Sequence, residues 1–166
     1  YGKETWATEN GYTMNPNPWT SSTPLGAAKL YIRQVLAHVQ AGSPRIYFYA
    51  LFDNGNEKGG ANFGIVDENG SPRPAYKALK AFIELLEGGT SSSSDSLGYT
   101  LKADGSVRQL LISKGNGTFI LAVWQPVAVH SGENHNSNVN NSPVQATLTI
   151  PGGADIRQFL PSTHGT

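Results

Sequence analysis

Two stretches decide the fold: Trp6-Ala7-Thr8-Glu9-Asn10-Gly11-Tyr12, and Ile46-Tyr47-Phe48-Tyr49-Ala50-Leu51. In the first, a carboxylate follows a short strand-like run, Thr5 to Thr8, and is itself followed by Asn-Gly, a strong turn dipeptide. Glu9 therefore stands where a strand stops and a loop begins. In a parallel α/β architecture that is the chemical end of the sheet. The second stretch is a continuous apolar and aromatic run without polar alternation, which predicts a strand covered on both faces.

The segments around these runs read as helices. Thr23-Pro24 offers an N-cap and a first helical residue, and Leu25, Ala28, Tyr31, Ile32, Val35, Leu36 and Val39 recur at helical spacing until Gly42 supplies the stop. The polar stretch between Tyr12 and Thr23, with Trp19 in it, reads as a loop. Beyond Leu51 the run from Phe52 to Asn62 is Gly-rich and long enough to line a site. A short strand pair is expected near Phe63 to Val66, turning at Glu68-Asn69-Gly70. Pro74 then opens a second helix with Ala75, Leu79, Phe82, Ile83 and Leu86 on its buried side, closed by Gly88-Gly89. The order is strand, loop, helix, twice over.

Thr90 to Ser96 is a polar low-complexity run of the linker type, and the pattern changes after it. Short alternating runs follow at Tyr99–Lys102, Val107–Ser113, Phe119–Trp124, Val144–Ile150 and Ile156–Leu160, separated by Asp-Gly, Gly-Asn-Gly and Pro-Gly-Gly turns. Five such runs predict a small antiparallel sandwich. The His- and Asn-rich excursion from Val129 to Ser142 is too polar for core.

Bulk composition narrows the function classes. Twelve basic and twelve acidic side chains cancel, and only 14% of residues are charged, so the basic face that nucleic acid or an anionic membrane surface requires is missing. No apolar run reaches the 18 or so residues of a membrane span. The absence of Cys removes disulfides, thiol catalysis and thiolate metal sites together. His130 and His135 with Glu133 match no standard zinc spacing, so neither metal nor other cofactor is expected. The Gly-, Pro-, Asn- and Ser-rich surface is of the kind common among secreted polysaccharide-degrading enzymes.

Three stretches, Ala7–Tyr12, Ala27–Leu36 and above all Asn62-Phe-Gly-Ile-Val-Asp-Glu-Asn-Gly-Ser-Pro-Arg-Pro-Ala-Tyr-Lys-Ala-Leu79, carry a resemblance to a known family. The chain resembles the last two strand–helix units of the (β/α)8 barrel of glycoside hydrolases in the clan that includes cellulases and xylosidases of families 5 and 39. The likeness covers roughly residues 3 to 88 and continues more faintly beyond. It implies an α/β plus all-β chain: the C-terminal portion of a barrel over residues 1–89, a linker at 90–96, and a partial antiparallel β-sandwich at 97–166. A whole barrel takes about 250 residues, so six strand–helix units are expected upstream of Tyr1 and further sandwich strands downstream of Thr166.

The same resemblance implies a retaining glycosidase with Glu9 as nucleophile. Read locally, Glu9 is a solvated residue beside a turn. The acid/base of the family comes from an Asn-Glu pair ending the fourth strand, which this chain does not contain, so the chain alone is expected to hydrolyse nothing. Aromatic faces stack on sugar rings, which makes Tyr49 and Phe52 candidates, although buried core is the better description of at least one of them. Tyr12 and Trp19 are candidate cleft residues in the loop after Glu9. Asp53 and Glu57 follow the second strand and are candidate substrate contacts, whereas Asp67 and Glu68 belong to a turn. The expected partners are an oligo- or polysaccharide and the N-terminal barrel portion of the same protein, acting outside the cell. The competing reading is a non-catalytic carbohydrate-binding or structural β-sandwich module with a barrel remnant.

Overall fold

Ala7–Asn10 forms β1 and Ile46–Phe48 forms β2, paired in parallel with Ala7 opposite Ile46 and Asn10 opposite Phe48. The computed structural model describes residues 3–14, 22–53, 62–90, 95–131 and 137–160. β1 runs two residues further than the sequence predicts, because Asn10 is held rather than turned out. Its amide donates to the carbonyls of Tyr47 and Ala7, at 3.3 and 3.4 Å, and its oxygen accepts from Gln34 Nε2. β2 is shorter than predicted and is covered on one face only, since Tyr47 and Tyr49 are 47% and 39% exposed.

The helix α1, Pro24–Gln40, joins the two strands. Thr23 caps it as the sequence predicts: its hydroxyl accepts from Gly26 N at 2.9 Å, which satisfies one of the unpaired N–H groups of the first turn. At the other end Gly42 adopts a positive φ of 73° and donates to Val39 O, closing the last turn. The second helix, α2, spans Pro74–Leu86 and buries Ala75, Ala78, Leu79 and Phe82. Ile83, predicted on that stripe, is 57% exposed. Ala78 takes the place instead, and the small Ala side chains of the two helices allow their backbones to approach.

The core lies between these helices and the sheet: Met14, Ala27, Ala28, Tyr31, Ile32, Leu36, Ile65, Ala75, Ala78, Leu79 and Phe82. Tyr31 is fully buried at its centre, edge-on to Tyr12 at 5.4 Å and to Phe48 at 4.9 Å between ring centres. Burying each large apolar side chain here contributes about 1.5–3 kcal/mol, so this cluster is the main source of local stability.

The second half forms two ladders that do not hydrogen-bond to each other. β3, Thr100–Ala103, pairs antiparallel with β6, Ala146–Thr149. β4, Arg108–Ser113, pairs with β5, Phe119–Trp124, as a hairpin whose turn holds Gly115 and Gly117 at positive φ. The fifth predicted run, Ile156–Leu160, does not form a strand, and Ile156 is 62% exposed.

The β4–β5 hairpin packs on the helices through Leu110, Ala122 and Trp124. Lys114 Nζ donates to Leu85 O at 3.0 Å and Arg33 Nη1 to Val127 O at 2.7 Å. Thr90 and Asp95, at the two ends of the Ser-rich run, both bind the hairpin turn, at the carbonyls of Lys114 and Gly115 and at Gly117 N. Val129 corrects the expectation that its segment stays out of the core. It is 6% exposed, seated against Gly26, while Asn138 accepts a hydrogen bond from the hydroxyl of Thr23.

Candidate functional site

Glu9 is the next-to-last residue of β1 and is exposed. Neighbouring side chains of a strand point to opposite faces. The register shifts by one residue between Ala7 and Asn10, which sets Thr8 and Glu9, both exposed, together opposite Tyr47, while Asn10 turns toward α1 to meet Gln34. On β2 the same alternation applies: Phe48 packs on Tyr31, and Tyr47 and Tyr49 therefore stand on the helix-free face with Glu9. The strand ends are drawn close together. Tyr49 N donates to Asn10 O at 2.6 Å, and a Cβ on Gly11 would collide with the Tyr49 carbonyl, so only glycine fits there. One carboxylate and two tyrosine rings thus share the C-terminal end of a parallel pair. Tyr47 was not singled out in the sequence, although its i, i+2 spacing from Tyr49 was the available signal.

Tyr49 also contacts Phe63, edge-on at 5.6 Å, and the peptide bond from Tyr49 to Ala50 is cis. Phe52 is 58% exposed and bridges in parallel to Val66. Asp53, by contrast, is engaged on both oxygens. Oδ2 meets Arg73 Nη2 at 2.5 Å and Oδ1 accepts from Gly64 N at 2.6 Å, with the side chain only 7% exposed. Arg73 in turn donates to Gly64 O. The pair fastens the segment after β2 to the start of α2, and so fixes the base from which Phe52 projects.

Tyr12 lies on the other side of the ladder. Its ring packs on Tyr31, and it lines an open groove of about 530 Å³ together with Arg33, Gln34, Arg108 and Trp124. Burial pushes its hydroxyl pKa upward, with Arg33 opposing. The structure therefore gathers Glu9, Tyr49 and Tyr47, leaves Phe52 exposed beyond them, and separates Tyr12. Trp19 and Glu57 lie outside the described residues, as do Glu133 and His135. Among the described residues no three His, Cys, Asp or Glu gather as metal ligands, and no helix is long and apolar enough to cross a membrane.

No family model and no curated protein matches the chain. Among solved structures it is similar to a family 39 glycoside hydrolase from the gut symbiont Bacteroides cellulosilyticus WH2, with a TM-score of 0.52 and 21% identity over 75% of this chain. At that identity the likeness is one of fold. The chain spans 24% of that enzyme's length, so it corresponds to a part of it.

Proposed function

We propose that this chain is the C-terminal portion of a retaining glycoside hydrolase whose catalytic domain is a (β/α)8 barrel, with Glu9 as nucleophile. The observation that supports this most directly is the placement of Glu9 at the C-terminal end of a parallel strand, on the face opposite α1, which in a closed barrel is the interior at its catalytic rim. The fold likeness to part of a family 39 glycoside hydrolase agrees with it.

In this reading Glu9 attacks the anomeric carbon to form a glycosyl ester. An acid/base elsewhere in the barrel, with its carboxyl group about 5–5.5 Å away, protonates the leaving oxygen and then activates water. Tyr49 and Phe52 supply stacking surface for the sugar, with Tyr47 beside them, and Tyr12 and Trp19, which follow Glu9 in sequence, are further candidate sugar contacts. Asp53 acts indirectly, by holding Arg73 and Gly64 so that Phe52 keeps its position. The second half shields the flank of the barrel, and the enzyme works on oligo- or polysaccharides outside the cell.

The test is covalent labelling. A 2-deoxy-2-fluoro glycoside with a good leaving group traps the glycosyl ester in the whole enzyme, and peptide mapping then finds the sugar on Glu9. A label on another carboxylate removes Glu9 from the role.

A further inference from the structure

The groove between α1 and the β4–β5 hairpin holds features that the reaction at Glu9 does not use. On α1, Leu30, Gln34 and Ala37, continued by the C-cap Ala41, recur at i, i+4, i+7 and i+11, a stripe on the side opposite the buried Ala28, Ile32 and Leu36. Ala37 and Ala41 are exposed and small, which leaves room for a second helix to approach closely. Arg33 and Arg108 flank the stripe, and no Asp or Glu lines the groove. Among the described residues the ion pairs are Arg73 with Asp53 and Lys80 with Glu84, so neither groove guanidinium has a carboxylate opposite it. Gln34 adds a third deficit. Its Nε2 donates to Asn10, but its Oε1 is buried with no hydrogen-bond partner, which calls for a donor from outside the described chain.

Topology says what belongs there. Among the described residues β1 is hydrogen-bonded to a strand only on the β2 side, so its other edge is open. A parallel strand joined to β1 through a helix makes a right-handed crossover, as nearly all such connections do. The connection β1–α1–β2 has put α1 on one face of the ladder. A preceding unit advancing in the same direction puts its helix on that same face, beside α1 and away from α2, where the groove lies.

We infer that this groove is the seat of an amphipathic helix bearing acidic side chains, the helix of the strand–helix unit that pairs with the open edge of β1. Its apolar stripe packs on Leu30, Ala37 and Ala41, and its carboxylates meet Arg33 and Arg108. The inference rests on the barrel reading above and adds to it the partner's chemistry and its contacts.

In the full polypeptide that contains this chain, Ala37→p-benzoylphenylalanine followed by irradiation and peptide mapping reports what covers the groove. The expected product links residue 37 to a segment preceding Tyr1, helical in its apolar spacing and carrying Asp or Glu within a turn of the link. A link to a second copy, to a non-helical segment, or to no peptide at all overturns the inference. A second measurement avoids the bulky probe: Arg108→Glu lowers Tm, and Glu→Arg at the acidic residue so identified restores it. A lowered Tm that the reciprocal change leaves uncorrected also overturns it. Fluoro-glycoside labelling of the same protein keeps the two proposals apart, because a labelled Glu9 with no helix link refutes only the docking, and a helix link with an unlabelled Glu9 refutes only the nucleophile.

Discussion

Asp53 and Arg73 form an ion pair at 2.5 Å that joins the segment following β2 to the N-cap of α2, with side chains 7% and 18% exposed. Arg73 gives α2 no side-chain cap, because a guanidinium has only donors and cannot accept from the first-turn N–H groups; it donates instead to Asp53 and to Gly64 O. Removing one member of a buried pair leaves the other charge unpaired, at a cost of about 3–5 kcal/mol. Arg73→Ala is accordingly expected to lower unfolding free energy by that order in a denaturant titration of the full polypeptide. Arg73→Lys recovers only part, since an ammonium lacks the fork that reaches both partners. A loss below about 1 kcal/mol, the level of a surface pair, would show that the pair is solvated.

Thr23 serves two partners with one hydroxyl. It accepts from Gly26 N and donates to Asn138, so the cap of α1 is also the tie to the segment around Val129. Thr23→Ala is expected to cost about 1–2 kcal/mol for the cap alone. Thr23→Ser keeps both bonds and nearly all the stability. Asn138→Ala removes only the tie, so it should speed amide exchange near Val129 more than it lowers global stability. Equal protection in Asn138→Ala and the parent would remove the tie from the account.

The tyrosine pair predicts a pH dependence. Burial raises the pKa of Tyr31 and of Tyr12 above the ordinary value of 10.0. A phenol whose folded pKa is raised stays neutral while the unfolded chain ionises, so the unfolded state binds fewer protons above pH 10. Stability from this source is complete below about pH 10 and is lost as pH rises through the raised folded values. Tyr31→Phe should flatten the alkaline fall, at the cost of the bond that Tyr12 N makes to the Tyr31 hydroxyl. Denaturant midpoints between pH 8 and 11 measure this, and identical alkaline slopes for the two proteins would contradict it.

How much of this was legible in the sequence follows the range of the interactions. The ends of α1 were readable because capping is local chemistry: Thr23, Pro24 and Gly42 act within a few residues of themselves. The parallel order of β1 and β2 was readable from the intervening helix, since parallel neighbours require a crossover. What the sequence misplaced depends on distant partners. β1 extends through Asn10 because Gln34, 24 residues on, holds its side chain. Val129 is buried because the N-terminus of α1 receives it. The anchoring of Asp53 was likewise out of reach, because only the fold brings Arg73 and Gly64 to it. The resemblance pointed to Glu9, whereas Tyr47 had only its i, i+2 spacing from Tyr49 as a signal, and Phe48 packing on Tyr31 shows which face the two share.

The last prediction concerns the reaction itself. A carboxylate that attacks the anomeric carbon must be ionised and close, while an amide of the same shape can bind beside the sugar but cannot form the ester. On the proposed role, Glu9→Gln in the full polypeptide is expected to reduce turnover by about 10³ or more, with substrate binding retained. Glu9→Gly goes further and vacates the space. External azide can then enter from the side the carboxylate occupied and displace the leaving group of an activated glycoside, so the glycosyl azide has inverted configuration, whereas the proposed double displacement retains it. Proton NMR of the product reads that configuration directly. A Glu9→Gln enzyme that keeps more than about a tenth of its turnover would mean that Glu9 only lines the cleft, and azide products of retained configuration would place the attacking group on the opposite side of the sugar.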